Sequence, residues 1–295
     1  MAELLERPKI LVVGSANTDM VVRTQRIPKP GETVMGGAFL MAQGGKGANQ
    51  AVAAARLGAD VTFITCLGRD LFGEAAFQAL TAEAIDTHWI VRSENTPSGV
   101  ALICVDDSGE NSIVVAGGAN GRLMPQHVHD ARPAFEQADI ILTQLEIPLE
   151  TVTAVIDTAN SLGKPLILNP APAAKLPGDV LKRCYTITPN ETEAALLGDC
   201  LESLPSTHLV MTAGVGGVFV DGEHIAAPVV HSVDTTAAGD AFNGALAVSL
   251  ARGESLRDAC RFAVYAASLS VMRFGAQPSL PTVEEVAEFI CDYAV

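Results

Sequence analysis

Basic residues are scarce in this chain. There are 19 Lys and Arg against 34 Asp and Glu, a net charge of −15. The bases form no Lys/Arg cluster, and a nucleic-acid backbone needs a basic face, so no nucleic-acid partner is expected. Long apolar runs are also missing. None approaches the ~20 residues of a membrane helix, so no membrane partner is expected. The opening MAELLERPKI carries acids and lacks the apolar centre of a signal peptide. The expectation is a soluble, cytoplasmic protein. The six cysteines, at 66, 104, 184, 200, 260 and 291, include no CxxC pair. Several sit in apolar contexts such as VTFITCLG and GVALICVD, which points to buried reduced thiols and against a disulfide framework or zinc site. Aromatics make up only 5%, and no internal repeat or low-complexity linker occurs.

What the chain has is Ala, Val, Leu and Gly, with 48% hydrophobic residues over 295 positions. That suits one large layered α/β domain, with or without a smaller attached piece. Short apolar runs read as buried strands at 9–15, 60–68, 138–146, 164–172, 184–190 and 208–214. Helical spacing follows several of them, as in GANQAVAAARLGA (47–59) and LFGEAAFQALTAEAI (71–85). Alternating strands and helices predict βαβ units and a mostly parallel sheet, with ligands at the carboxyl ends of the strands. Two stretches break the rhythm. Residues 17–42 and 97–116 read as strand pairs with turns at PKPGE and DDSGE. Together they predict a small antiparallel sheet that projects from the core as a lid, a dimer surface, or both. The core is then 1–16, 43–96 and 117–295.

Five segments carry candidate chemistry. DTTAAGD (234–240) is a small-residue turn opening into a helix. Unpaired N–H groups and the positive end of the macrodipole collect at such a start, and Ala237, Ala238 and Gly239 leave room for an anion. Asp240 beside a phosphate pocket has natural work as a proton acceptor. Taken alone, the same turn is equally an ordinary acidic helix start. GGKGANQ (44–50) fails the P-loop pattern, since residue 40 is Leu. It can bring backbone close to a small polar ligand, although a tight strand–helix turn explains it as well. Asn17 and Asp19 in GSANTD share a side of an extended segment and suit sugar hydroxyls, or simple turn chemistry. Asn190 and Glu193 in PNETE are close to a capping box, which is compatible with contact to a nucleotide or hydrated metal. Glu146 in QLE and the glycines of TAGVGG (212–217) end strands at the ligand edge. His127 and His129 have no third partner and read as surface.

These segments occur in a recognisable order. GGKGANQAVAAARLGA and VDTTAAGDAFNGAL, with NPAPA (169–173), TPNETE (188–193) and GAQPS (275–279), resemble the ribokinase family of sugar kinases, also called the PfkB family, over essentially all 295 residues. The resemblance implies a ribokinase-like three-layer α/β fold and phosphotransfer from ATP to a sugar primary hydroxyl, here O5 of D-ribose. By matching position, Asp240 resembles the catalytic base, and the amides of Ala237, Ala238, Gly239 and Asp240 the anion hole. Asn17, Asp19, Gly45, Lys46, Asn49 and Glu146 resemble the sugar-binding set. Asn190, Thr212, Gly214 and Gly217 resemble nucleotide contacts, joined by Ala238 and Gly239. Glu193 is placed to act on Mg²⁺ through water. Asp234, Thr236, Val271, Phe274, Ala276 and Ser279 resemble a site for K⁺. The resemblance also implies a homodimer through the lid. Related acceptors (2-deoxyribose, fructose, a nucleoside) and a catalytically silent sugar binder are the alternatives. One departure stands out: only 21 residues separate Asn190 from Thr212, a span that in the family is usually longer and holds an extra helix.

Overall fold

The computed structural model describes residues 6–201, 204 and 207–293. Its strands are β1 (Lys9–Val13), β2 (Asn17–Arg23), β3 (Phe39–Gly44), β4 (Asp60–Ile64), β5 (Cys66–Gly68), β6 (Val91–Ser93), β7 (Gly99–Val105), β8 (Asn111–Ala116), β9 (Ile140–Thr143), β10 (Leu166–Leu168), β11 (Thr186–Ile187), β12 (His208–Thr212), β13 (Val218–Val220) and β14 (Glu223–Ile225). Eight of them form one sheet in the order β14-β13-β12-β11-β10-β9-β1-β4. The run from β4 to β12 is parallel, and β13 and β14 close it as an antiparallel edge.

The central strands β1, β9 and β10 are almost wholly apolar because both faces are covered. On β1, Ile10 and Val12 pack into one cluster with helices Lys46–Arg56, Ala238–Ala251 and Leu256–Ser270, while Leu11 and Val13 pack into another with helix Leu149–Ser161. Three layers result, as the family resemblance implies. Small residues set one spacing that matters for the site. Helix Lys46–Arg56 buries Gly47, Ala48, Ala51, Ala53 and Ala54. A Cβ on Gly244 of helix Ala238–Ala251 would lie 2.6 Å from the Ala53 Cβ. The two helices therefore touch almost backbone to backbone, and their N-termini come together at the carboxyl end of the sheet.

The second sheet, β3-β2-β7-β8, is the projecting piece. Its antiparallel pairs, β2–β3 and β7–β8, join side by side through a parallel β2–β7 pairing. DDSGE is the β7–β8 turn, as expected. PKPGE instead lies inside a longer connection, residues 24–38, and β3 runs on to Gly44. Many apolar side chains of this sheet are exposed, Val114 at 66% and Phe39 at 61%. The expected single strand at 60–68 is broken. After β4 the chain leaves the central sheet at Thr65, and β5 pairs with β6. Among the described residues no helix is long and apolar enough to cross a membrane.

Candidate active site

The helix Ala238–Ala251 begins at a tight corner. Ala237, its N-terminal cap, takes φ 60°, a left-handed conformation that costs least for a small side chain. Asp234 holds the corner. Its Oδ1 accepts from the Thr236 amide (2.9 Å) and hydroxyl (2.6 Å), and its Oδ2 accepts from the Gly275 amide (2.9 Å). These donors, with Arg23 nearby, hold the Asp234 carboxyl below its usual range although burial opposes them. The Ala238 amide bonds to the Thr235 carbonyl at 3.2 Å. The next first-turn amides, of Gly239 and Asp240, have no i−4 carbonyl within the helix and are free for an anion. A Cβ on Gly239 would meet no atom within 4 Å. The protein itself gives no steric reason for glycine there.

Asp240 is buried and points away from that opening into the molecule. Its Oδ2 accepts from Asn49 Nδ2 and its Oδ1 from Gln50 Nε2, both at 2.9 Å. Burial raises its pKa most. Lys46 and the two amides pull it back, Glu146 pushes it up, and the net direction is upward. Such a carboxylate is a stronger proton acceptor than a solvated one.

Around it lie the residues expected to bind a sugar. Glu146 accepts from Ser15 Oγ at 2.5 Å and the Lys46 amide at 3.0 Å. Asp19 is pushed up to about 7, first by burial and then by Glu146 and Asp240. Burial depresses Lys46, but Asp240, Glu146 and Glu193 outweigh it and hold its ammonium above the usual lysine value. Three carboxylates with one cation among them suit a neutral polyol, whose hydroxyl protons satisfy carboxylate oxygens; an anionic acceptor would meet repulsion. Asn17 Oδ1 accepts from Asn120 Nδ2 at 2.7 Å, and Asn120 Oδ1 accepts from the Ala16 amide at 2.9 Å. That leaves Asn17 Nδ2 as a donor for a ligand. Asn49 Oδ1 is buried and has no partner among the described residues. Gly45 takes φ 87°, and a Cβ there would lie 2.7 Å from the Asn17 amide nitrogen, so glycine is required for the corner itself.

The nucleotide-side residues divide. Asn190 and Glu193 make a complete capping box. Asn190 Oδ1 accepts from the Glu193 amide (2.8 Å), and the Glu193 carboxylate accepts from the Asn190 amide (2.9 Å) and Nδ2 (3.0 Å). Burial raises Glu193, against the Asn190 bond and Lys46. Thr212 pairs with Asn190 in an isolated parallel bridge, which brings the ends of β11 and β12 together. Gly214 takes φ 52° with open space around it, whereas Gly217 is structural, since a Cβ would lie 2.1 Å from the Ile225 carbonyl. Among its described residues the short 191–211 link contains helix Glu191–Leu197 and a 3-10 turn, Gly198–Cys200, before β12. In the 271–279 segment, the Val271 carbonyl already accepts from the Val233 (2.7 Å) and Asp234 (3.1 Å) amides. Ser279 is buried and donates its hydroxyl to the Ala276 carbonyl at 2.8 Å, and Phe274 is exposed under Arg23, 4.9 Å from its ring centre.

Sequence reasoning missed a buried amide network behind Asp240. Gln144 donates to Gln50 Oε1 (2.5 Å), Gln50 to Asn169 Oδ1 (3.1 Å), and Asn169 to the Thr188 carbonyl (3.2 Å). Thr188 donates to Asn243 Oδ1 (2.7 Å), and Asn243 to the Gly239 carbonyl (2.8 Å). The signal was available. Gln144 follows β9 directly, Asn169 follows β10 and Thr188 follows β11, one polar residue at the carboxyl end of each neighbouring strand.

A family model described as pfkB family carbohydrate kinase matches residues 7–283. The chain belongs to this family. It is 43% identical to the ribokinase of Bacillus subtilis over 291 residues, covering 95% of this chain and 99% of that protein. It is 41% identical to the ribokinase of Haemophilus influenzae over 302 residues, covering 96% and 99%. The structure of Arabidopsis thaliana ribokinase complexed with ribose and ATP superposes with a TM-score of 0.87 at 32% identity, covering 96% of this chain and 99% of that one. The three-layer core with its small second sheet is therefore a ribokinase-like fold, and this pfkB-family chain spans nearly the full length of its relatives.

Proposed function

We infer that the protein is an ATP-dependent kinase that phosphorylates D-ribose at O5, giving D-ribose 5-phosphate. The observation that carries this reading is the pairing of a buried, amide-held Asp240 with an open, anion-ready helix start one residue away. The relatives named ribokinase, at about 40% identity over nearly the whole chain, support ribose as the acceptor. So does Asn17, whose Oδ1 is held by Asn120 and whose Nδ2 is left as a donor for a hydroxyl.

Ribose lies against Asp19, Asn49 and Glu146, which take its hydroxyl protons or offer an acceptor. Asp240 accepts the O5 proton as O5 bonds to the γ-phosphorus, the bond from that phosphorus to the β-phosphate oxygen breaks, and ADP leaves. The Gly239 and Asp240 amides meet the charge on the transferring group, and Lys46 adds its ammonium close by. ATP lies across the strand ends beside Thr212 and Gly214, with Asn190 and Glu193 fixing the ends of β11 and β12 beneath it. The segments 17–42 and 97–116 form a lid that excludes water as a rival acceptor. The exposed apolar side chains of that sheet support a homodimer through the lid. A reaction that consumes ATP suits the cytoplasm, where we place the enzyme.

Two ions belong to this reading. Among the described residues no cluster of three His, Cys, Asp or Glu is placed to hold a metal. Mg²⁺ would be held by the ATP phosphates, with Glu193 acting on it through water, and would neutralise phosphate charge when bound. K⁺ would be held by oxygens of Asp234, the Thr236 and Phe274 carbonyls and the Ser279 hydroxyl; the Val271 and Ala276 carbonyls each already accept two hydrogen bonds within the loop. Asp234 would couple that ion to the anion turn.

The test is ADP release with ATP, Mg²⁺ and K⁺ across ribose, 2-deoxyribose, fructose and adenosine, with Na⁺ replacing K⁺ in parallel. Ribose is expected to give the highest kcat/KM, with a fall when K⁺ is withdrawn. A preference for another acceptor would move the error to Asn17 and its neighbours.

A further inference from the structure

We propose that Gln144 is a positioning residue: it fixes which end of the Gln50 amide faces Asp240, and so holds the base for proton transfer. The inference rests on Asp240 being that base. An ionised carboxylate only accepts hydrogen bonds, so Gln50 must present its NH₂ to Asp240. Its Oε1 then faces the other way, into the protein, where it needs a donor. Gln144 Nε2 is that donor at 2.5 Å, and Asn169 Oδ1 takes the second proton of the Gln50 NH₂ at 3.1 Å. Both glutamines are fully buried. Without Gln144, Gln50 would bury an unpartnered carbonyl, and rotating its amide would turn that carbonyl toward Asp240.

The arrangement has a cost that structure alone does not explain. Gln144 Oε1 is itself buried with no partner among the described residues. Gly14 must stay bare to admit it, because a Cβ there would lie 2.0 Å from that oxygen. An unbranched apolar side chain would fill the same space without stranding a polar atom. A half-satisfied glutamine in a closed core is accounted for by what its other end does to Gln50. The groups facing Asp240 on all sides are Lys46, Asn49 and Gln50 from helix Lys46–Arg56, Glu146 from the segment after β9, and Asp19 from β2. Of these, Gln50 is the one whose orientation Gln144 decides.

The test uses Gln144→Met, Gln50→Met and the double variant. Two readouts are taken: the pH dependence of kcat/KM for ribose, which reports the free enzyme's base, and a ¹³C titration of the aspartate carboxyls, with the Asp240 signal assigned by its loss in Asp240→Asn. Removing an amide donor disfavours the charged carboxylate, so the acid limb and the Asp240 titration move up by about one pH unit. The ribose KM stays within about twofold. Because Gln144 acts through Gln50, the double variant shifts no further than Gln50→Met alone. A folded Gln144→Met whose profile and titration coincide with the parent's overturns the proposal, as does a double variant whose shift is the sum of the two. If Gln144→Met does not fold, Gln144→Leu gives the same reading, since it also removes the donor to Gln50 Oε1 and adds no charge near Asp240. The carboxyl titration needs no turnover, so it decides the proposal even if the parent phosphorylates none of the sugars.

Discussion

Replacing Gly239 with alanine separates a glycine kept for the fold from one kept for a ligand. Gly239 is the second residue of helix Ala238–Ala251, and a Cβ there would meet nothing within 4 Å. Alanine is favoured over glycine in a helix by up to about 1 kcal/mol, and less in the first turn. In a chain of this size 1 kcal/mol corresponds to roughly 2 °C in Tm. Gly239→Ala is therefore expected to hold its Tm or gain about 1 °C. The new methyl would stand over the anion-binding amides, and losing one such donor costs ~10²–10³ in kcat. Gly45→Ala is the contrasting control. At φ 87°, with a Cβ 2.7 Å from the Asn17 amide nitrogen, it must distort the corner and lower Tm. Thermal unfolding and ADP release on both variants check the pair. Near-normal turnover in Gly239→Ala, or a Tm loss of several degrees, would refute the reasoning.

Asp240→Asn should keep the fold and lose at least ~10²-fold in kcat with ribose still binding by calorimetry; near-normal turnover would remove the base from Asp240. Asp19 is raised to about 7 in the folded protein from 3.8, so its contribution is full below pH 3.8 and is lost as pH rises through about 7. Asp19→Asn should therefore raise Tm at pH 8 and change it little at pH 4, while ribose affinity falls; equal effects at both pH values would contradict the shift. Asn120→Asp keeps the acceptor for the Ala16 amide but removes the donor to Asn17 Oδ1. It should turn the Asn17 amide and narrow the ribose preference over 2-deoxyribose by about tenfold, and an unchanged ratio of kcat/KM values would sink that role. A charge on the lid face, Val114→Glu, should give monomers by sedimentation if the exposed β8 side chains meet a second copy.

Much of the architecture was legible because apolar runs and small-residue turns report backbone needs directly. KILVV, IILT and LIL are buried on both faces and carry no other message. GGKGA opens a helix at a glycine that only positive φ can serve. Strand breaks were harder. VTFITCLG looks continuous, yet the chain leaves the central sheet at Thr65, because pairing partners such as β6 lie far away in sequence. The small second sheet was visible from its strand pairs and the DDSGE turn, but not the parallel β2–β7 seam, since register between distant strands leaves no local mark. Asp240, Asn49 and the carboxylates stood out through their motifs. Gln50 sat inside the same motif unnoticed, and Gln144, Asn169 and Asn243 were silent, because single polar residues at strand ends gain meaning only when the sheet brings them together.

The most direct measurement is identification of the product formed from ATP and D-ribose by ³¹P and ¹³C NMR, with Asp240→Asn run beside the parent. The account predicts ADP and a phosphate ester on the ribose C5 oxygen, formed by the parent and at most about 1% as fast by the variant. Phosphorylation at another hydroxyl, an Asp240→Asn variant as fast as the parent, or ribose bound and released unchanged would contradict it.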